Sequence, residues 1–561
     1  MPASSGRSWF GVAVDALAVA AGLGAVVVFA RMLIVAPVDH VPEVDSHGYF
    51  LMARELAAGR MPQWDDDIAR FRGHVWVDVG GGKVMAKYPP GWPLLLAVGY
   101  RVNGLDGALS VNIVLGIVGA AAFYGLAWQL LGTVAAAVCT WIWLFSPILL
   151  FYVGYPLSHS ADITFVLLSF VLCIAWARTR WTALAAAGGF CAGFLVLIRP
   201  MSILVWPALI AAMVVMRSRA SEPPQQPALE WLAMRRRPWA LLARVPRGVW
   251  AMIIGAAMPL TFLAIYNTWG FGAPWRTGYW LTAEQGAFDF SDWPKRLDVV
   301  FAARRILLED RYWLLVLAGL VLAWRSRRLL WVLVPWLVPL VTLYTAYYFF
   351  SPYPHFLRFY LTALPAAVLC AGLLIGREVL RSAVARAAVL AAAAAWLALQ
   401  PPIGLTEAST ESAASLAAFS AHHPAQRAME EARGSPTTVL AYETVFWTVA
   451  SDERGVAYDL SAWTDTHLAA PPSKACRRTE VRQDMARHLR LHEVHRTMGQ
   501  GALKADLLLR IERELSAGRR VLIASPPGDP ARRWIEADPR WTLRTLGECD
   551  GRQIVQVLGR T

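Results

Sequence analysis

Charged residues are scarce in this chain: 17% of its 561 residues are Asp, Glu, Lys or Arg, whereas 57% are hydrophobic. A soluble domain carries about 25% charged residues, so the composition excludes an ordinary soluble protein. The mean hydropathy of +0.42 indicates that lipid is the solvent for much of the surface.

Cysteine is also scarce, with six residues in the whole chain. Four of them lie in apolar runs without metal-ligand spacing and are expected to be small core residues: Cys139, Cys173, Cys191 and Cys370. Cys476 and Cys549 lie in a polar region and would be able to pair in an oxidising compartment. A disulfide scaffold and a zinc module are therefore excluded.

Basic residues exceed acidic ones, which gives a formal net charge of +13. A nucleic-acid-binding protein concentrates such charge on one face, whereas here the arginines form short clusters between apolar runs. This pattern is typical of membrane topology, and we expect no nucleic-acid partner.

Apolar runs divide the first 404 residues, and a membrane-spanning helix needs about 20 predominantly apolar residues. The first run ends without a small-residue cleavage pattern, so we expect it to be retained as a span. The predicted spans are 11–36, 108–131, 134–153, 157–177, 181–198, 201–216, 249–268, 313–324, 329–350, 360–376 and 386–404. The sequence thus predicts an all-α polytopic membrane protein with about eleven transmembrane helices.

Arginine clusters alternate along the loops, and Lys and Arg are enriched on the cytoplasmic side of membranes. Clusters follow the spans that end near 177, 216, 324 and 376, whereas the loop 154–158 has no basic residue. This alternation predicts a multi-pass inner membrane protein with a cytoplasmic N-terminus. The loops 37–107 and 269–312 and the chain after 404 then lie outside.

The apolar runs stop at about residue 405, and a short α/β pattern follows. A strand is predicted at 438–442, a helix at 502–515, a strand at 520–524 and a closing pair at 541–546 and 552–558. We therefore predict a transmembrane domain over 1–404 and a small extracytoplasmic α/β domain over 405–561.

The first outer loop, 37–107, concentrates acidic residues, and loops on a rigid scaffold often carry function. Apolar spacing over 46–59 suits a helix on the membrane interface, with Asp45 as its N-cap and Gly59 as its C-cap. The loop ends with the run K-Y-P-P-G-W-P-L-L-L, which begins at Lys87.

This order of an acid, a helix bearing Tyr49 and the proline-rich run resembles the first outer loop of class C glycosyltransferases. It is most similar to the group that includes lipid A aminoarabinose transferases and protein O-mannosyltransferases. Further matches are Arg199-Pro200, the run Y-N-T-W-G-F-G-A-P-W-R-T-G-Y that begins at Tyr266, and H-F-L-R-F-Y-L-T-A-L-P, which begins at His355. The resemblance covers roughly residues 10–400.

The resemblance implies transfer of a sugar from a polyprenyl-phosphate donor to a cell-envelope lipid, glycan or protein on the outer face. The expected partners are that donor, membrane lipids and the envelope acceptor. Asp45 becomes the candidate general base. The candidates for holding the donor phosphate are Lys87, Arg358, Arg199 and Arg276. The candidates for binding substrate are Tyr49, Glu43, Tyr88, Tyr279 and His355.

Each of these residues also has a structural interpretation. Asp45 would serve equally as a helix cap, and Lys87 and Arg358 would suit lipid headgroups. The sequence establishes no cofactor. The sequence does not decide whether the protein uses a divalent metal ion. The candidate ligands Asp65, Asp66 and Asp67 more closely resemble a solvated acidic turn. The aromatic run 344–350 is expected to form an interfacial belt.

One departure from the resembling proteins concerns the residues after Asp45. Those proteins usually have a second acid beside the first-loop aspartate, whereas Ser46 and His47 follow here. The particular sugar and acceptor therefore do not follow from the motif.

Two other functions share parts of this pattern. A transporter or flippase of lipid-linked sugars would also be polytopic, but such proteins tend to have repeated halves, and the sequence contains no repeat of fixed period. An oligosaccharide ligase or polymerase would share the site and differ in its donor. The clustering of polar residues in outer loops favours the transferase.

The predicted topology can be tested at the C-terminus. A reporter that is active only in the cytoplasm, fused after Thr561, is expected to be silent, because the arginine alternation places this end outside. The same reporter fused within 217–248 should be active. Strong activity of the C-terminal fusion would overturn the span count.

Overall fold

A computed structural model describes residues 8–35, 44–65, 75–217, 246–282, 284, 288–302, 312–323, 327–347, 357–377, 379–399, 436–441, 456–459, 500–549 and 552–559. In the first 404 residues the helices are α1 Trp9–Val35, α2 Val44–Ala57, α3 Gly91–Leu131, α4 Thr133–Leu144, α5 Pro147–Gly154, α6 His159–Thr179, α7 Thr182–Ile198, α8 Trp206–Arg217, α9 Arg247–Phe271, α10 Gly278–Leu281, α11 Trp293–Ala302, α12 Tyr312–Ala323, α13 Arg327–Ala346, α14 Leu364–Gly372 and α15 Ala383–Leu399. Short 3₁₀ helices lie at Pro200–Val205, Leu357–Tyr360 and Leu373–Ile375.

Every predicted span coincides with a helix or a broken pair of helices. Among the described residues, five helices are long and apolar enough to cross a membrane: Trp9–Val35, Gly91–Leu131, His159–Thr179, Arg247–Phe271 and Leu329–Ala346. Shorter apolar helices account for the other predicted spans. The chain is thus a multi-pass membrane protein, while the total of eleven spans stays a prediction.

Small residues bring the helices α7 and α9 into backbone contact. A Cβ atom added to Gly189 would lie 1.9 Å from the carbonyl oxygen of Met252, and one added to Gly255 would lie 1.9 Å from that of Ala186. Because lipid tails are as apolar as leucine, helices in membranes associate through such close packing rather than through hydrophobicity alone.

A charged pair joins the first and last helices of the transmembrane part. Asp15 of α1 accepts a hydrogen bond from Arg386 of α15 and a second one, of 2.7 Å, from the Thr133 hydroxyl of α4. A charged side chain within a membrane is costly unless it is paired, so this cluster fixes α1, α4 and α15 against one another.

The first outer loop forms a compact layer. Helix α2 ends at Ala57, and Gly59 follows with a φ of 73°. The N–H groups of Gly59 and Arg60 donate to the carbonyls of Leu56 and Glu55 in the last turn, as in a glycine-terminated helix. Strands β1 Trp64–Asp65, β2 Trp76–Gly80 and β3 Lys83–Ala86 form an antiparallel sheet in the order β1-β3-β2.

The predicted interfacial helix differs from expectation in its environment. Residues 46–53 are buried, with Phe50, Met52 and Ala53 fully covered. The helix is therefore enclosed by protein rather than lying exposed on the membrane surface. The spacing of apolar residues along this helix indicated only that one of its faces would be buried. The other side is closed by Tyr88 and Val75, which contact the helix at Gly48.

The described part of the C-terminal region contains a five-stranded sheet. Its strands are β4 Thr437–Ala441, β5 Val456–Asp459, β6 Arg520–Ser525, β7 Trp541–Cys549 and β8 Arg552–Gly559, in the order β5-β4-β6-β8-β7. Two further helices are α16 Gln500–Ser516 and α17 Pro530–Glu536. These elements coincide with the predicted ones, and β5 and α17 are additional. The domain boundary near 405 and Cys476 lie outside the described residues, so the domain division and the disulfide stay predictions.

Candidate active site

Asp45 lies in the first turn of α2, and both of its carboxylate oxygens have side-chain partners. The Tyr88 hydroxyl donates to Oδ1 at 2.6 Å, and Arg358 Nη2 donates to Oδ2 at 3.2 Å. The predicted N-cap position is wrong, because the helix begins at Val44 and Asp45 lies inside its first turn. Its side chain instead joins two other segments of the chain. Its side chain is 21% exposed, which leaves the carboxylate accessible.

Tyr88 occupies its position because Lys87-Tyr88-Pro89-Pro90 leads directly into α3. A proline disfavours helical backbone in the residue before it, so the helix begins only after this run, at Gly91. Its ring packs against Tyr49 at 4.2 Å and against Tyr279 at 6.2 Å. Tyrosines from three separate segments thus surround the carboxylate.

Burial raises the pKa of Tyr88 well above its ordinary value, and the negative charge of Asp45 raises it further. Burial also raises the pKa of Tyr49 to about 12, with a further contribution from Asp45. Both phenols therefore remain protonated at physiological pH. Tyr88 is consequently a permanent hydrogen-bond donor to Asp45, and it fixes the orientation of the carboxylate.

Lys87 forms a buried ion pair with Glu284, a residue of the loop 269–312. The two side chains are only 5% and 10% exposed, and the second oxygen of Glu284 accepts a hydrogen bond from Tyr347 at 3.3 Å. A Cβ atom at Gly278 would lie 2.3 Å from the Cα atom of Lys87, so only glycine lets the two loops approach this closely. The charge of Lys87 is thus balanced by Glu284.

Arg199 follows the last residue of α7, where Pro200 forces it into an extended conformation. Its Nη1 atom donates to the Nδ1 atom of His159 at 2.8 Å, and its guanidinium lies 5.5 Å from the ring centre of Phe359. The guanidinium of Arg358 lies 5.4 Å from the same ring. Phe359 therefore holds two arginines from distant parts of the sequence in one neighbourhood.

A buried aspartate fixes the segments that carry these two arginines. Asp162 lies one turn after His159 on α6 and is completely covered. It accepts hydrogen bonds from Ser202 at 2.7 Å and from Thr362. Ser202 lies three residues after Arg199, and Thr362 lies four residues after Arg358. The single carboxyl group therefore holds both segments against α6.

A cavity of about 340 Å³ opens beside this cluster. Its wall consists of aromatic rings, one arginine, one carboxylate and two small apolar residues. The lining residues are Arg199, Pro200, Met201, Tyr279, Glu284, Phe288, Tyr344, Tyr347 and Phe359. An aromatic cavity with a few convergent polar groups is the usual form of a small-molecule site.

The structure brings most of the candidate residues together. Asp45, Tyr49, Tyr88 and Arg358 form one contact group, and Arg199 and Tyr279 line the adjacent cavity. Lys87 lies between these groups, 5.8 Å from the ring centre of Tyr88 and 5.6 Å from that of Tyr279.

Other candidates lie elsewhere or outside the described residues. Arg276 is exposed in the loop 269–312 and makes no described ion pair. Asp65 is exposed and pairs with Lys83. Glu43, His355, Asp66 and Asp67 lie outside the described residues. Within the described part of the chain, no three His, Cys, Asp or Glu side chains are grouped as metal ligands.

Sequence reasoning missed several residues of the cavity. Glu284 lies five residues after Tyr279, which ends one of the motifs. Its position as an isolated acid just after that motif was the only sign in the sequence that it belongs to the site. Tyr344 and Tyr347 were expected to belong to an aromatic belt, but they line the cavity instead. Residues 344–346 of this run are buried and Tyr347 is partly buried, which an aromatic composition alone does not reveal.

The fold has a counterpart among solved structures. ArnT from Cupriavidus metallidurans bound to undecaprenyl phosphate is similar over 97% of this chain and 97% of its own, with a TM-score of 0.52 and 14% identity. The archaeal oligosaccharyltransferase AglB from Archaeoglobus fulgidus, in complex with an inhibitory peptide and a dolichol-phosphate, matches 83% of this chain and 68% of its own, with a TM-score of 0.43 and 11% identity. No family model and no curated protein matches the sequence. The likeness to ArnT confirms the class C glycosyltransferase fold that the motifs indicated.

The ion pair between Lys87 and Glu284 yields a stability prediction. Lys87→Met leaves a buried carboxylate without its cation, which should destabilise the protein by about 3–5 kcal/mol, and adding Glu284→Gln should restore most of the loss. Lys83→Met is the matched control, because its exposed pair with Asp65 contributes about 0–1 kcal/mol. Thermal melting in detergent measures all three variants. Equal melting temperatures for Lys87→Met and Lys83→Met would show that the buried pair Lys87–Glu284 contributes no more to stability than the exposed pair does.

Proposed function

We propose that this chain is a membrane glycosyltransferase that moves a sugar from a polyprenyl-phosphate donor to a cell-envelope acceptor on the outer face of the inner membrane. The observation that carries this proposal is the assembly of Asp45, Arg358 and Arg199 beside an aromatic cavity, from three distant parts of the chain. A carboxylate next to two guanidiniums provides a base and an anion site together.

The two arginines are suited to the phosphate of the sugar donor. A guanidinium presents a planar fork of N–H groups that matches two phosphate oxygens, and it stays charged at every physiological pH. The guanidiniums of Arg199 and Arg358 lie 5.5 and 5.4 Å from the ring centre of Phe359, which supports one phosphate site shared by both. Their charges would stabilise the negative charge that develops as the phosphate leaves.

Asp45 is suited to the role of general base. In the proposed reaction an acceptor hydroxyl attacks the anomeric carbon, the bond between that carbon and the phosphate oxygen breaks, and the hydroxyl proton passes to Asp45. Polyprenyl phosphate leaves as the second product. Tyr88 holds the carboxylate in place, and Arg358 lies between the base and the phosphate.

The fold supports the lipid-phosphate part of this proposal. The structure of ArnT, which shares the fold over nearly the whole chain, holds undecaprenyl phosphate. Lys87, which the motif also nominated for the phosphate, has its charge balanced by Glu284. We therefore assign Lys87 to shaping the site rather than to binding the anion. The ligase or polymerase alternative would use the same groups with a larger donor.

The general base can be tested with a nearly isosteric variant. Asp45→Asn keeps an oxygen that accepts from Tyr88 but takes up no proton, so turnover should fall about a hundredfold or more. Loss of the charge paired with Arg358 should lower the melting temperature without unfolding the protein. Asp65→Asn, at an exposed acid of the same loop, should leave turnover unchanged.

The assay uses the full chain in detergent with a polyprenyl-phosphate sugar and an envelope extract as acceptor, and melting confirms folding of each variant. A folded and fully active Asp45→Asn protein would remove Asp45 from the reaction. The search would then move to Glu43, Asp66 and Asp67.

A further inference from the structure

The cavity combines aromatic rings with a carboxylate. Five of its lining residues are aromatic, and Glu284 is its acid. Rings around a carboxylate are the usual arrangement for an ammonium group, because ring faces and carboxylate oxygens both attract a cation. Composition alone would thus favour a sugar that carries an amino group.

The contacts of Glu284 oppose that conclusion. One carboxylate oxygen accepts from the Lys87 ammonium and the other from the Tyr347 hydroxyl. An ammonium is therefore already in place, and it belongs to the protein. A sugar ammonium at Glu284 would have to displace Lys87, whose side chain is only 5% exposed, or else share one carboxylate with it. A buried cation left without its partner is strongly unfavourable.

Arg199 adds to this discrimination. Of the described residues that line the cavity, Arg199 and Glu284 are the charged ones, and Glu284 is balanced by Lys87. The charge left in the wall is that of Arg199, which the donor phosphate neutralises, so the wall keeps no free carboxylate to attract an ammonium. An arginine that holds the phosphate also leaves no cation for an acidic sugar.

We propose that this cavity binds the sugar of the lipid-linked donor and selects an uncharged sugar over one that carries an ammonium or a carboxylate group. This inference rests on the proposed function and names the substrate class of the same site. The ring faces pack against the C–H faces of the sugar, and the tyrosine hydroxyls are able to contact its hydroxyl groups. The Lys87–Glu284 pair is the element that sets this preference.

The test compares three polyprenyl-phosphate hexoses that differ in one substituent. At the same position of the sugar, the first has a hydroxyl group, the second an amino group and the third a carboxylate group. Their dissociation constants are measured with the full chain in lipid nanodiscs at neutral pH, and polyprenyl phosphate alone serves as a fourth ligand. The hydroxyl sugar should bind at least about tenfold more tightly than either charged one.

The pH dependence isolates the charge from the shape. The affinity for the amino sugar should rise as the pH passes the pKa of the amine, because the bound group then becomes neutral, while the affinity for the hydroxyl sugar at each pH corrects for changes in the protein. An amino or carboxylate sugar that binds as tightly as the hydroxyl sugar at neutral pH would overturn the inference and leave the proposed function intact. Failure of all four ligands to bind would overturn both.

Removing the internal cation links the preference to Lys87. Lys87→Met exposes the charge of Glu284 to the cavity, so its discrimination against the amino sugar should be about tenfold smaller than that of the wild type. The double variant Lys87→Met with Glu284→Gln lacks that charge and should not bind the amino sugar more tightly than the wild type does. Lys83→Met is the control with an unchanged preference. If Lys87→Met is folded and retains the discrimination of the wild type, the pair does not set the preference.

Discussion

The ion pair between Asp45 and Arg358 is the interaction on which the rest of the candidate site depends. It joins two residues that are 313 positions apart in the sequence. One follows the first transmembrane helix, and the other lies between the helices α13 and α14. Because a partly buried charge is costly without a partner, each residue restricts where the other segment can lie. The pair also positions Phe359, which follows Arg358 in the sequence, and Tyr88, whose hydroxyl donates to Asp45.

Charges around the cavity follow the same constraint. Lys87 is paired with Glu284, Asp162 accepts from two hydroxyls, and Arg199 has His159 and the ring of Phe359. These contacts orient polar groups before any substrate arrives, which is the condition for electrostatic stabilisation of a transition state. The aromatic rings in the wall lower the local dielectric constant and thereby strengthen the field of each charge beside the cavity.

The sequence predicted the transmembrane helices well, because apolar length is a direct consequence of bilayer thickness. The structure also brings close together six candidate residues, whose roles stay predictions: Asp45, Tyr49, Tyr88, Arg199, Tyr279 and Arg358. These residues were identified because they belong to the motifs that resemble class C glycosyltransferases. The orientation of the chain and the domain boundary near 405 stay predictions.

The partners of the predicted residues did not follow from the sequence. Glu284 was missed, since nothing in the sequence shows which lone acid meets Lys87 across 197 positions. Tyr344 and Tyr347 were assigned to a belt, because composition does not distinguish a ring that faces lipid from one that faces a cavity. Helix α2 was expected at the membrane surface for a related reason: the segments that cover it are distant in sequence. Long-range packing decides all three cases.

The central claim is that Arg199 and Arg358 form one phosphate site next to Asp45. The most direct measurement is an electron cryomicroscopy map of the full chain with undecaprenyl phosphate in lipid nanodiscs. The account predicts phosphate density within hydrogen-bond distance of both guanidiniums and beside the ring of Phe359. Phosphate density that contacts neither arginine, with the lipid well defined elsewhere on the protein, would contradict it.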